Sequence, residues 1–259
     1  MELILNAVLV LSVLGLIFGG LLAVVSKYLA VKEDEKEAAV RECLPGANCG
    51  ACGYTGCDGY AEALAKGEAE PNLCIPGGAD TAAKLSEVLG VAVSSTPKKA
   101  VVLCRGNVGN AKIKFEYEGP RSCAAAAMIQ NGQKVCAYGC LGFGDCQKAC
   151  PFGAISIKDG LAKIDQNLCT GCGACAKVCP KGVIEVIPQG EKPTVLCHSI
   201  DRGPDAKKAC AAACIGCGLC AKNCESGAIA VENFLAKINK DLCTNCKKCV
   251  DVCPMKCIK

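Results

Sequence analysis

Thiols supply nearly all the chemistry this sequence can offer: 26 of its 259 residues are cysteine, against a single histidine and no tryptophan. Thiols crosslink, bind zinc or hold iron-sulfur clusters, and spacing and compartment decide among these. Two runs have the form C-x2-C-x2-C-x3-C-P: Cys169, Cys172, Cys175 and Cys179 before Pro180, and Cys243, Cys246, Cys249 and Cys253 before Pro254. Three closely spaced thiolates let one loop wrap a corner of an iron-sulfur cube while backbone N–H groups point at its sulfides. The fourth thiolate reaches a neighbouring cluster, and the proline fixes the turn by restricting the residue before it.

These runs end two copies of one unit, since residues 136–180 align without a gap on 210–254 at an offset of 74. The spacing is the bacterial ferredoxin signature. In the second copy Cys214, Cys217 and Cys220 with Cys253 make one 4Fe-4S set, and Cys243, Cys246 and Cys249 with Cys224 make the other; Glu225 stands where a proline is expected. Apolar residues at Ile229, Val231, Leu235 and Ile238 predict a hairpin between the motifs. In the first copy Cys169, Cys172 and Cys175 pair with Cys150, but Phe143 occupies the position of Cys217. Cys136, four residues upstream, is the natural substitute beside Cys140, Cys146 and Cys179; a three-iron or empty site is the alternative.

Upstream, LPGANCGACGYTGC and PNLCIPGG space Cys49, Cys52, Cys57 and Cys74 as C-x2-C-x4-C-x16-C, with glycines that let the loop approach a cluster closely. Zinc accepts four thiolates too, but the glycine-rich loop and the neighbouring ferredoxin motifs favour iron. Residues 58–66 read as a short helix with Cys57 at its entrance. Cys43, Cys104, Cys123, Cys197, Cys210 and Cys257 are left over. Cys104 and Cys197 both end a VLC segment, part of the repeat with a longer insert in the first copy, and core packing is the plain reading for them. Cys104, Cys123, Cys197 and Cys210 are also available to a further cluster. His198 has no partner motif and reads as an ordinary side chain.

Residues 3–25 form one uncharged apolar run, about 23 residues and so sufficient to span a bilayer. It is longer than a signal-peptide core. Lys27, Lys32, Lys36 and Arg41 follow it, which places the remainder on the cytoplasmic side of the inner membrane as a single-pass protein. A reducing compartment argues against disulfides. A net charge of +4 is too mild for nucleic-acid binding, and no P-loop, dinucleotide fingerprint or Ser/His/Asp set is present. The lysine pairs 98/99, 207/208 and 247/248 offer a basic face for an acidic redox partner.

The expected fold class is α+β: an N-terminal transmembrane helix, a small mostly helical 4Fe-4S module, then two bacterial-ferredoxin-like units each holding two clusters. The domains run 1–28 (anchor), 32–89 (four-cysteine module), 90–99 (linker), 100–135 (connector), 136–187 (first ferredoxin unit), 188–209 (connector) and 210–259 (second unit). At least five 4Fe-4S clusters and no substrate pocket make the job one-electron relay.

The order of these modules, with VLCRGN and GCLGFGDCQKACPFGAI between them, resembles the B subunits of Rnf electron-transport complexes over essentially the whole chain. The resemblance implies a polypeptide that takes electrons from reduced ferredoxin and passes them to membrane and NAD- or flavin-binding subunits, coupled to Na+ or H+ translocation. The alternative is an uncoupled relay to another acceptor, such as a complex that keeps a redox-sensing regulator reduced.

Overall fold

A computed structural model describes residues 2–29, 34–93, 97–190 and 192–259. Lys32 and Glu33 of the charged stretch, residues 94–96 of the linker and the side chain of Lys27 lie outside the described residues. The N-terminal run forms α1 (Glu2–Leu29), 28 residues long and so about 42 Å at 1.5 Å per residue. Its side chains are described without interruption only over residues 11–25, all exposed. Among the described residues no helix is long and apolar enough to cross a membrane.

Three helices build the four-cysteine module: α2 (Glu35–Cys43), α3 (Cys57–Ala65) and α4 (Gly78–Leu89). Asp34 caps α2 by accepting the N–H of Lys36, and Gly90 ends α4 in the left-handed conformation. Val40, Leu44, Tyr60, Ala61, Leu64 and Leu85 form their shared core.

The rest of the chain runs β1 (Lys98–Val102), α5 (Cys123–Met128), α6 (Asp145–Lys148), β2 (Ile155–Lys158), β3 (Leu161–Ile164), α7 (Ala174–Lys177), β4 (Ile184–Pro188), α8 (Gly203–Ala209), α9 (Leu219–Lys222), β5 (Ile229–Glu232), β6 (Leu235–Ile238) and α10 (Lys248–Asp251). The helix-hairpin-helix group α6-β2-β3-α7 recurs as α9-β5-β6-α10 with every boundary displaced by 74 residues. Both hairpins are antiparallel, pairing Ile155 with Ile164 and Ile229 with Ile238. Their turns, Asp159-Gly160 and Asn233-Phe234, take positive φ at both residues, as tight two-residue hairpins require.

Each unit also recruits a segment that the repeat alignment leaves outside it. β1 pairs antiparallel with β4, so Lys98 and Lys99, linker residues by composition, begin a strand. In the second unit Val195 bridges Ile258, and Thr194 and Lys259 exchange backbone hydrogen bonds. Leu103 donates to the carbonyl of Val183, and Leu196 to that of Cys257. Both VLC segments are therefore edges of their own ferredoxin unit. The two cores, around Val183 and Ile184 in one and Cys257 and Ile258 in the other, are small and rich in thiols.

Candidate iron-sulfur sites

In the four-cysteine module the loop ahead of α3 carries Cys49 and Cys52, and Cys57 opens the helix. Asn48, at φ 46°, accepts the N–H of Cys57 on its Oδ1 at 2.8 Å and so ties the loop to the helix entrance. Buried Tyr60 donates its hydroxyl to the carbonyl of Glu70 at 2.7 Å and accepts the N–H of Leu73 at 3.2 Å. That clamp brings Cys74 back to α3, where it interacts electrostatically with Cys57, Cys52 and Cys49. Burial pushes the Cys74 thiol up.

Cys150, Cys169, Cys172 and Cys175 line one cavity. Ala100 of β1 donates its N–H to Cys169 Sγ at 3.4 Å. Burial raises Cys175 to about 11, with further contributions from Cys172, Cys169 and Cys150. Such burial disfavours a bare thiolate, and iron reverses the balance by supplying the countercharge. In the second unit Cys214, Cys217, Cys220 and Cys253 line a matching cavity, and Cys249 interacts with Cys243, Cys246 and Cys224.

The remaining set differs from expectation. The cavity holding Cys140, Cys146 and Cys179 takes Cys123, not Cys136, as its fourth thiol. Cys123 opens α5, whose N-cap Ser122 accepts from Ala125. Asp145, at the start of α6, accepts from Ser122 Oγ at 2.9 Å and from the Ala124 N–H at 3.0 Å. Burial works to raise the Asp145 carboxyl, but the N–H groups of Ala124 and Cys123 and the Ser122 hydroxyl outweigh it and hold it below the usual range. Phe143, at the position of Cys217, packs against Tyr117 with ring centres 5.2 Å apart and the rings tilted by 55°, and closes the small core beneath α5. Burial pushes Cys146 up to about 12, with Cys140, Cys123 and Cys179 adding to it.

Cys136 instead shares a cavity with Cys104, Cys197 and Cys210, and His198 lies on its wall. The VLC cysteines, readable as core packing, thus face a common space. The signal for Cys123 was present in the sequence: the copy that lacks a cysteine at Phe143 is the one whose insert after VLC carries an extra one.

Cys257, buried at 2% exposure, lines the cavity of Cys214, Cys217, Cys220 and Cys253 without belonging to the motif. Its Sγ is 3.7 Å from Cys253 Sγ, and its hydrogen bond holds the Cys214 thiol below the ordinary range while its own is raised. Cys140, the counterpart of Cys214, is raised by burial. Of the lysine pairs, Lys99 donates to the carbonyl of Cys169 and Lys248 pairs with Glu225, whereas Lys207 and Lys208 are exposed in the last turn of α8.

The donor sets fit 4Fe-4S clusters. At least four thiols line each of these cavities, with Cys257 a fifth in one, and backbone N–H groups reach the sulfurs of Cys140 (from Ala162 and Gly142) and Cys214 (from Ala236 and Gly216). The loops close against the hairpin turns: a Cβ at Gly142 would stand 2.3 Å from the Gly160 carbonyl, and one at Gly216 would stand 2.7 Å from that of Phe234. Among the described residues no group of three or more His, Cys, Asp or Glu could hold a single metal ion. A cubane differs because each thiolate takes its own iron.

Family models match four stretches of the chain. An Fe-S cluster family matches residues 44–76, 4Fe-4S binding domains match 140–154 and 162–185, and a 4Fe-4S dicluster domain matches 213–257. The chain is 46% identical to the B subunit of the Na(+)-translocating ferredoxin:NAD(+) oxidoreductase complex of Acetobacterium woodii, over 98% of this chain and 78% of the relative. It is 44% identical to the B subunit of the proton-translocating ferredoxin:NAD(+) oxidoreductase complex of Clostridium ljungdahlii, over 100% and 93% respectively. It is 40% identical to the B subunit of the ion-translocating oxidoreductase complex of Methanosarcina acetivorans, over 99% and 98%.

Proposed function

Because this chain belongs to the family of B subunits of the ion-translocating ferredoxin:NAD(+) oxidoreductase (Rnf) complexes, we propose that it accepts electrons from reduced ferredoxin and relays them within such a complex. The observation that carries the reading is the conjunction of full-length kinship with thiols gathered in fours. Bound 4Fe-4S clusters supply one-electron chemistry at potentials set by hydrogen bonds to sulfur, local charge and exposure. The ligand sets are Cys49/Cys52/Cys57/Cys74, Cys150/Cys169/Cys172/Cys175, Cys123/Cys140/Cys146/Cys179, Cys214/Cys217/Cys220/Cys253 and Cys224/Cys243/Cys246/Cys249.

Cys217 and Cys246 are exposed and make the second unit the natural point of entry for a soluble donor. At the other end Lys177 of α7 donates to the carbonyl of Gly50 at 3.2 Å, and Cys49 acts on Cys172. That contact brings the four-cysteine module against the first ferredoxin unit. We assign α1 as a single-pass membrane anchor: residues 3–25 are an uncharged apolar run, Leu16, Phe18 and Leu22 are exposed, and Lys36 and Arg41 after it favour the cytoplasmic side for the rest of the chain. Other membrane and NAD- or flavin-binding subunits would receive the electrons.

Anaerobically purified protein is expected to carry at least about 20 irons, to be reduced by ferredoxin, and to remain with membranes until residues 1–28 are removed. In liposomes the assembled complex should build an ion gradient as ferredoxin is oxidised. Zinc in place of iron would overturn the relay; ferredoxin oxidation without a gradient would leave the relay and overturn the coupling.

A further inference from the structure

We propose that Cys104, Cys136, Cys197 and Cys210 form a sixth 4Fe-4S site joining the two ferredoxin units, an inference that rests on the iron-sulfur reading of the other sets. No matched family model covers any of these four residues. All four line one cavity, all are free thiols, and both copies of the repeat contribute equally to it. Cys104 and Cys197 each end a VLC edge segment; Cys136 and Cys210 are the same repeat position, 74 residues apart. The site is therefore what duplication produces when two units meet face to face, two thiols from each.

Its walls have the features of the recognised sets. Every sulfur receives backbone N–H donors: Cys104 from Gly106 at 3.3 Å and from Cys140 at 3.4 Å, Cys136 from Tyr138 and Gly139, Cys197 from Ser199 and Cys214, and Cys210 from Ala212. Four converging thiols with donors aimed at their sulfurs are the pattern of a cluster pocket rather than of packed core cysteines. Glycine keeps the wall open, because a Cβ at Gly106 would stand 3.4 Å from Cys104 Sγ and 3.8 Å from Cys210 Sγ. Lys134, only 2% exposed, lines the same cavity, with Nζ donating to the carbonyls of Gly106 and Gly160 at 2.6 and 2.9 Å. A buried ammonium is costly without an opposite charge nearby, and an anionic cluster with four thiolate ligands supplies one.

Position gives the site its use. Cys140 belongs to the nearest set of the first unit and donates its N–H to Cys104; Cys214 belongs to the nearest set of the second unit and donates to Cys197. The sixth site lies in direct contact with a ligand from each side and closes the gap between the units. A cluster held by these four thiols would supply one-electron exchange with the sets on either side, taking an electron from one and giving it to the other with no proton or bond change.

The full chain, purified anaerobically, should contain about 24 irons and as many acid-labile sulfides, against about 20 if the site does not exist. Cys104→Ser combined with Cys197→Ser should lower both counts by about four and slow electron transfer between the two units by at least tenfold, leaving the other clusters' signals in place. Unchanged counts in that variant would overturn the proposal. Should the variant fail to fold, the wild-type count decides, near 24 in support and near 20 against. Protein devoid of iron would instead defeat the relay reading itself.

Discussion

The two ferredoxin units share a backbone plan with identical spacing between elements, yet they complete their inner ligand set differently. The second unit takes its middle ligand from the loop itself, at Cys217. The first unit places Phe143 there and imports Cys123 from an insert, held by α5 and by the bonds of Asp145 to Ser122 and Ala124. Exposure follows the choice: Cys217 is exposed, whereas Cys123 is 8% exposed. A ligand in the loop leaves the cluster near solvent; a ligand on a docked helix covers it. On the proposed relay, the second unit would receive electrons from outside and the first would pass them inward.

The largest effect comes from breaking the imported ligand. Cys123→Ala should cost the first unit one cluster, about four irons, as Cys217→Ala should in the second. Adding Phe143→Cys to Cys123→Ala restores a ligand at the second unit's position and should recover the iron, read by metal analysis and EPR. Loss of iron from Cys136→Ala at the same cluster's signal, with none from Cys123→Ala, would return the ligand to Cys136 and erase the comparison.

Much of this was legible in the cysteine spacing, because ligands within one loop are separated by fixed short intervals that leave a regular trace. Both C-x2-C-x2-C-x3-C-P runs and the offset of 74 come directly from it, and the apolar alternation at Ile229, Val231, Leu235 and Ile238 gives the hairpin between the motifs. Cys123 was not legible as a ligand, since a helix that docks from elsewhere leaves no spacing rule. Its trace is the coincidence of a missing cysteine at Phe143 with an insert carrying one. The edge role of the VLC segments was also hidden: strand pairing of Leu103 with Val183 and of Leu196 with Cys257 depends on backbone groups that every residue possesses. The pairing in turn is what brings Cys104 and Cys197 to a shared cavity.

A second difference between the copies is chemical and smaller. Cys257 corresponds to Val183, both buried beside the equivalent cavity. The Cys257 thiol hydrogen-bonds to ligand sulfur, whereas valine does not, and hydrogen bonds to sulfur raise a cluster's potential. One such bond, worth about 1 kcal/mol, corresponds to about 40 mV for a one-electron couple. Cys257→Val should lower the potential of the Cys214/Cys217/Cys220/Cys253 cluster by that order in an EPR-monitored titration, with iron content unchanged. Val183→Cys should raise its counterpart. A loss of about four irons from Cys257→Val would make Cys257 a ligand instead of a hydrogen-bond donor.

The smallest effect concerns the turn after the last cysteine of each inner loop. Pro151 follows Cys150 in the first unit; Glu225 follows Cys224 in the second and pairs with Lys248 across an exposed surface. Such a pair is screened by water and contributes little. Proline at a compatible position stabilises chiefly by restricting the unfolded chain, and the first unit shows that the same helix-turn-strand path accommodates it. The Glu225 N–H makes no backbone hydrogen bond among the described residues that proline would remove. Glu225→Pro should therefore raise the anaerobic Tm by about 1–2 °C without changing iron content. A fall in Tm would mean that the two turns, alike in spacing, differ in backbone conformation, and that the Lys248 pair contributes more than an exposed pair ordinarily does.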